Sequence, residues 1–221
     1  SSPLSDTPRP GNAKFKKLTP VDPNSTNPYQ LTEADRTVIG NTTPKFSGGF
    51  GLNATYKGFD MSMFFNFMYD FDVLNANKIM LTTWADNKEN NFLMDIASDK
   101  RWRNFDDMGN EIRYSPEVLA EFNKNATMWN PTSIGRPICM SYAVEDGSFL
   151  RLNSATLGYT LPSVWTKKVG LSKVRFYVSG NNLFTLTGYS GYDPEVNIAT
   201  GLTPNIDYNR YPRSRTYTSV S

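Results

Sequence analysis

The sequence contains no histidine and only one cysteine, Cys139. The first absence rules out histidine-based zinc sites, Ser-His-Asp triads and Cys-His dyads. The second rules out an internal disulfide; Cys139 reads as a small buried or loop residue. Charge of one sign is not in excess either. The 23 Lys and Arg residues against 21 Asp and Glu leave a formal net charge of +2, which is no electrostatic footprint for nucleic acids, whose binding needs a clustered basic surface. Long hydrophobic runs are missing too. No segment approaches the ~20 apolar residues of a membrane-spanning helix, and residues 1–12 are polar and proline-rich, unlike a signal peptide.

What the chain has in abundance is aromatic rings. They make up 14% of its 221 residues, with 12 Tyr, 14 Phe and 4 Trp, yet mean hydropathy is −0.49. Soluble cores fill with Leu, Ile and Val. An aromatic-rich but hydrophilic chain suits a surface whose two faces meet different solvents.

The pattern along the chain supports this. Residues 1–44 read as loop, dense in Pro, Asn, Thr and Asp. From there, Phe46, Gly48, Phe50, Leu52, Ala54 and Tyr56 share one strand face, and Ser47, Gly49, Gly51, Asn53, Thr55 and Lys57 the other. Lys57-Gly58 predicts a tight turn. Then Phe59, Met61, Met63, Phe65, Phe67, Tyr69 and Phe71 alternate with Asp60, Ser62, Asn66 and Asp70, with Phe64 and Met68 breaking the polar face. Each arm of this hairpin runs about 12 residues, longer than ordinary globular strands and close to the ~9–11 that cross a bilayer at a tilt. Residues 72–146 form a long irregular stretch, with helices expected at 115–125 (Ser115 capping, Pro116 in the first turn) and at 91–100. Strand signal returns at 148–160. There Leu150 and Leu152 fall in one phase and Ala155, Leu157 and Tyr159 in the other, which predicts a bulge near Asn153-Ser154. A connector at 161–172 holds a short helix opened by Pro162 and ended by Gly170. A strand follows at 173–187, a loop at 188–212 and a final strand from Arg213.

Connection lengths alternate: Lys57-Gly58 and 161–172 are short, while 1–44, 72–146 and 188–212 are long. Outer-membrane barrels place short turns in the periplasm and long loops outside. The fold class expected is therefore all-β, a partial transmembrane antiparallel β-barrel whose outer loops carry short helices. Five strands cannot close a barrel, so further strands must complete it. Two other readings stay open: a soluble cell-surface β-sandwich that binds carbohydrate, and a hydrolase using Asp or Glu. Asp193 and Glu195 are the pair such a hydrolase would offer, but they sit two residues apart around Pro194, which favours a structural loop role.

Several segments, in order, resemble the C-terminal region of the SusC/RagA family of TonB-linked outer-membrane transporters. They are Asp35-Arg36-Thr37-Val38-Ile39-Gly40, Pro44-Lys45-Phe46, and Tyr56-Lys57-Gly58-Phe59-Asp60. Next come Glu145-Asp146-Gly147-Ser148-Phe149-Leu150-Arg151-Leu152 and Leu157-Gly158-Tyr159-Thr160-Leu161-Pro162. After these stand Val174-Arg175-Phe176-Tyr177-Val178-Ser179-Gly180-Asn181-Asn182-Leu183-Phe184, Tyr189-Ser190-Gly191-Tyr192-Asp193-Pro194-Glu195-Val196, and Tyr211-Pro212-Arg213-Ser214-Arg215-Thr216-Tyr217-Thr218. The family often carries a calcium-like loop before the Asp-Arg motif. Here residues 21–29 lack its glycine turn and oxygen spacing, so neither metal nor cofactor is expected. The family's plug and TonB-contacting segment have no counterpart in these residues, and where the family usually ends in an aromatic the sequence stops at Ser221, which suggests truncation or an unusually short final strand.

The resemblance implies the last strands of a larger, 22-stranded barrel in the cell outer membrane: a hairpin at 45–71, a long extracellular loop at 72–146 and C-terminal strands at 147–221. It implies import of oligosaccharides or peptides rather than catalysis, with TonB, a SusD-like surface lipoprotein and outer-membrane lipid as partners and no nucleic acid. Loop tryptophans Trp84, Trp102 and Trp129 are candidate substrate-stacking residues. Tyr56, Tyr69, Tyr159 and Trp165 are candidates for the membrane interface.

Overall fold

The computed structural model describes residues 10–21, 23–24, 26, 30–83, 91–96, 99–133, 138–196, 204–208 and 216–220. The chain divides into two compact units, residues 1–39 with 76–143 and residues 40–75 with 144–221.

The second unit is built on strands. β1 (Phe46–Tyr56), β2 (Phe59–Tyr69), β5 (Phe149–Thr160), β6 (Arg175–Thr187) and β8 (Thr216–Val220) form one antiparallel sheet in the order β1-β2-β5-β6-β8. A smaller sheet joins β4 (Val144–Asp146), β3 (Asp72–Asn75) and β7 (Ile206–Asp207), in that order. The β1–β2 hairpin closes as its residues dictate. Lys57 and Gly58 both take positive φ, 47° and 90°, as a two-residue turn matched to strand twist requires.

Register fixes two faces. Phe46 stands opposite Tyr69, Phe50 opposite Phe65, Leu52 opposite Met63 and Tyr56 opposite Phe59. The same face continues into β5 through Tyr159, Leu157, Leu152 and Leu150. It reaches β6 through Phe176, Val178, Phe184 and Leu186. Two ring pairs on this face stack closely, Phe50 with Phe65 at 5.0 Å and Phe59 with Tyr159 at 4.4 Å. The opposite face carries Asn53, Ser62, Asn66, Thr156, Arg151 and Thr185. Phe64, one of the two breaks in that polar face, lays its ring over Gly49, where a Cβ would sit 2.8 Å from it. Met68, the other, packs against the buried cluster described below.

The predicted bulge is present. Phe65 pairs with Leu152 and Phe64 with Ser154, leaving Asn153 as the inserted residue. A second bulge follows in β6: Leu152 pairs with Phe184 and Ser154 with Asn181, so Asn182 and Leu183 oppose Asn153 alone. Asn182 takes φ 52° there, a left-handed conformation Asn tolerates.

At the long-loop end the chain folds back over the polar face. Asp70, with φ 59°, turns the backbone after β2. Phe71 and Val73 then meet Phe149, Tyr189 and Val196 in a buried apolar cluster. Phe71 and Phe149 pack edge to face at 6.4 Å. The loop 188–212 therefore contains a strand that sequence did not predict. A two-residue strand such as β7 has no periodicity to read, and it pairs in parallel with β3, distant in sequence.

The first unit holds little regular structure among its described residues: helices α1 (Ala76–Met80) and α2 (Pro116–Phe122) and a few 3-10 turns. Pro116 opens α2 as expected, but Ser115 makes no side-chain capping bond. The helix expected over 91–100 is reduced to one 3-10 turn, Met94–Ile96, with residues 97–98 outside the described residues. That window carries Asn91, Asp95 and Asp99, which favour turns over helix interiors. The Asp-Arg motif has a clear structural task in this unit. The Asp35 carboxylate accepts from the backbone N–H of Leu18 (2.9 Å), Thr19 (2.7 Å) and Thr32 (2.8 Å) and from the Thr19 hydroxyl (2.8 Å). It thereby ties two stretches of chain together. These donors, the Thr19 N–H foremost, hold its carboxyl well below the usual carboxylate range.

Candidate functional site

The polar face of the main sheet gathers the charges that sequence reading left scattered. Arg151 projects from it between Asn66 of β2 and Thr185 of β6 and is 2% exposed. Its Nη2 donates to Asp193 Oδ1 at 2.5 Å, and Glu195 Oε2 lies 3.7 Å away. The guanidinium also stacks over Phe149, 5.4 Å from the ring centre. Burying an arginine this deeply is tolerable only with a paired carboxylate, and the loop after β6 supplies two. Asp193 and Glu195 thus flank a cation, which is the structural loop role rather than a glycosidase pair.

The same loop is fastened at two more points. Glu145 of β4 accepts from the Ser190 N–H (2.9 Å) and hydroxyl (2.8 Å). Tyr189 donates its hydroxyl to Asp207 at 2.7 Å. Burial, and then that bond, push the Tyr189 phenol upward. Asp146 caps the start of β5 by accepting from the Ser148 N–H at 2.8 Å. Gly147 passes so close to Phe71 and Val73 that a Cβ would lie 2.5 Å and 2.6 Å from their side chains. The two motifs 145–152 and 189–196 are therefore the two halves of one latch.

A second charged group sits on this face at the short-turn end. Arg175 of β6 grips Asp60 of β2 with two hydrogen bonds, its Nε donating to Oδ1 at 3.0 Å and its Nη2 to Oδ2. The pair reaches across β5, where Asp60 and Tyr177 both stand opposite Gly158. A Cβ on Gly158 would lie 2.5 Å from the guanidinium and 2.7 Å from the carboxylate. Sequence reading quoted all of these residues in motifs without seeing the clasp. A charge flanked by two leucines on a strand, as at Arg151, is the one local signal that could have pointed to the latch.

Two of the three candidate substrate-stacking tryptophans are described, both in the first unit. Trp84 lies outside the described residues. Trp102 is half-buried in the first unit and folded against Gly11, where a Cβ would lie 2.3 Å from its indole. Trp129, also half-buried, packs edge to face on Tyr142 at 4.9 Å, and Lys78 covers that tyrosine at 4.4 Å. The interface candidates divide between the sheet ends. Tyr69 stands at the long-loop end and Tyr56 and Tyr159 at the short-turn end, with Trp165 on α3 (Ser163–Thr166) in the short connector. Among the described residues, no cluster of His, Cys, Asp and Glu could hold a metal ion.

One apolar and one polar face, strands about twice the usual length, and alternating short and long connections define a class: a stretch of antiparallel barrel wall of the outer-membrane type. No family model matches the chain, but individual proteins do. It is 35% identical over 195 residues to TonB-dependent receptor P3 of Formosa agariphila, covering 86% of this chain and 17% of that protein. It is 38% identical over 80 residues to TonB-dependent receptor SusC of Bacteroides thetaiotaomicron, covering 34% of this chain and 7% of that one. Among solved structures, the RagAB peptide importer in its closed-closed state superposes with a TM-score of 0.63 at 24% identity, over 86% of this chain and 18% of that chain. The chain belongs to the SusC/RagA-type TonB-dependent receptors, a non-enzymatic family, and carries part of their barrel. It spans about a sixth of the length of TonB-dependent receptor P3.

Proposed function

We propose that the intact protein imports oligosaccharides or peptides across the outer membrane, driven by TonB and together with a SusD-like surface lipoprotein, and that this chain is wall and outer loops. The observation that carries the reading is the uncovered apolar face. Phe46 is 64% exposed and Leu186 60%, while the small sheet and the latch pack on the opposite, polar face. A soluble sandwich would cover the apolar face first, because that burial is its main source of stability. From Phe46 to Tyr56, β1 spans roughly 33 Å at ~3.3 Å per residue. At a tilt of ~40° this gives a height of about 25 Å, the apolar band of outer-membrane barrels. In this reading Phe46 and Tyr69 mark one edge of the band, and Tyr56, Phe59, Tyr159 and Phe176 the other. The polar face with its two charged groups lines the lumen. Trp84, Trp102 and Trp129 belong to the outer loops that would meet substrate or lipoprotein.

The test is uptake by cells carrying the full-length gene, comparing glycan and peptide libraries with and without TonB and the adjacent lipoprotein. Energy-dependent accumulation that requires TonB supports the reading. A full-length protein that stays in solution without detergent, and does not float with liposomes, ends it.

A further inference from the structure

The connector between β5 and β6 has features that a plain turn does not need. α3 runs into a 3-10 turn, Lys167–Val169, which Gly170 closes with φ 77°. Thr166 is its inward residue, 2% exposed, and accepts the Leu171 N–H at 3.0 Å through its carbonyl. The apolar side chains around it point outward: Val164 is 66% exposed, Trp165 61%, Val169 70% and Leu171 50%. Lys167, Lys168 and Lys173 are exposed among them, as is Lys57 on the neighbouring hairpin turn. Residues 161–174 contain no Asp or Glu, and Asp60 on the polar face is already held by Arg175.

Four exposed apolar residues interleaved with lysines, and no acid, match the chemistry of a bilayer interface. There apolar side chains sink to the acyl boundary and lysines reach back to the headgroups. The connector is also continuous with the apolar face: Tyr159 precedes it and Phe176 follows it, both in the aromatic row at the short-turn edge. We propose that this connector is an interfacial anchor that inserts Val164, Trp165, Val169 and Leu171 at the headgroup boundary and gathers anionic phospholipid with Lys57, Lys167, Lys168 and Lys173. The proposal rests on the barrel reading above, since it needs the apolar face to meet lipid.

The full-length protein is reconstituted into phosphatidylcholine liposomes, with flotation as the insertion control. Two readouts follow: selectivity for spin-labelled phosphatidylglycerol over spin-labelled phosphatidylcholine, and tryptophan quenching by lipids brominated near the headgroup. The expected result is a preference of about five-fold for the anionic lipid. It falls to near parity in the Lys57→Gln, Lys167→Gln, Lys168→Gln, Lys173→Gln variant and is unchanged in the outer-loop control Lys124→Gln. Trp165→Phe removes a quenchable component. A protein that floats but shows equal preference in parent and variant, or quenching untouched by Trp165→Phe, overturns the anchor alone. A protein that does not float overturns the barrel reading with it.

Discussion

At the scale of single residues, the chain spends its charges on holding segments in place. Arg151→Ala would leave Asp193 buried without its cation, a cost of about 3–5 kcal/mol. Arg151→Met with Asp193→Leu should recover most of that loss, read as the denaturant midpoint of the full-length protein. If the double variant were no more stable than the single, the latch would not act as a pair. The Asp60–Arg175 clasp is about a third exposed, so Asp60→Asn should cost no more than ~1 kcal/mol. Gly158→Val should cost more than either charge deletion, because it drives a side chain into both partners and not merely one out. Asp35 makes a prediction in pH. Its carboxyl is depressed below the ordinary 3.8 by N–H donors, so its stabilisation is complete above that value and is lost only as pH falls through the lower, folded value. Exchange protection of the Thr19 and Thr32 amides should thus be flat from neutral pH down to the ordinary carboxylate range. A midpoint near 3.8 or above would contradict the depressed carboxyl.

At the scale of elements, what sequence disclosed depended on whether a pattern repeats. The β1–β2 hairpin was legible because six apolar residues alternate without a break and Lys57-Gly58 can take positive φ at both turn positions. Gly58→Val should therefore lower the yield of folded protein, since a Cβ there would meet the Thr160 carbonyl at 2.8 Å. Lys57→Asn should be neutral or better, as Asn tolerates the same φ; heat-modifiable mobility on gels would report both. The bulge at Asn153 was legible because leucines on either side fall out of phase. Its neighbour at Asn182 was not, because Ser179-Gly180-Asn181-Asn182 carries no hydrophobic phase to slip. The charged site was hidden for a different reason. Arg151 and Asp193 are 42 positions apart and Asp60 and Arg175 are 115 apart, and no local rule links such distances. The helix expected near residue 95, present only as the 3-10 turn Met94–Ile96, shows the converse: turn-forming side chains outweighed a few apolar positions.

At the scale of the whole molecule, the two faces make opposite predictions for the same substitution. Leu52→Arg, on the apolar face near mid-strand, should cost ~2–4 kcal/mol if that face meets lipid, and Asn53→Arg, one residue on, close to nothing. The comparison is read as the folded fraction in outer-membrane preparations, and equal losses would contradict the two-solvent wall. The paired bulges carry a further consequence. At one level of the sheet β2 contributes a single step, β5 one residue more and β6 one more again. The wall therefore bends at this level like cloth with a gusset sewn in, since each bulge kinks its strand and adds twist, and the bend is set by how many residues each strand has and not by which they are. Exchanging Asn153 for Thr should leave that contour intact, whereas deleting it would leave β5 two residues short of β6 and pull the seam flat.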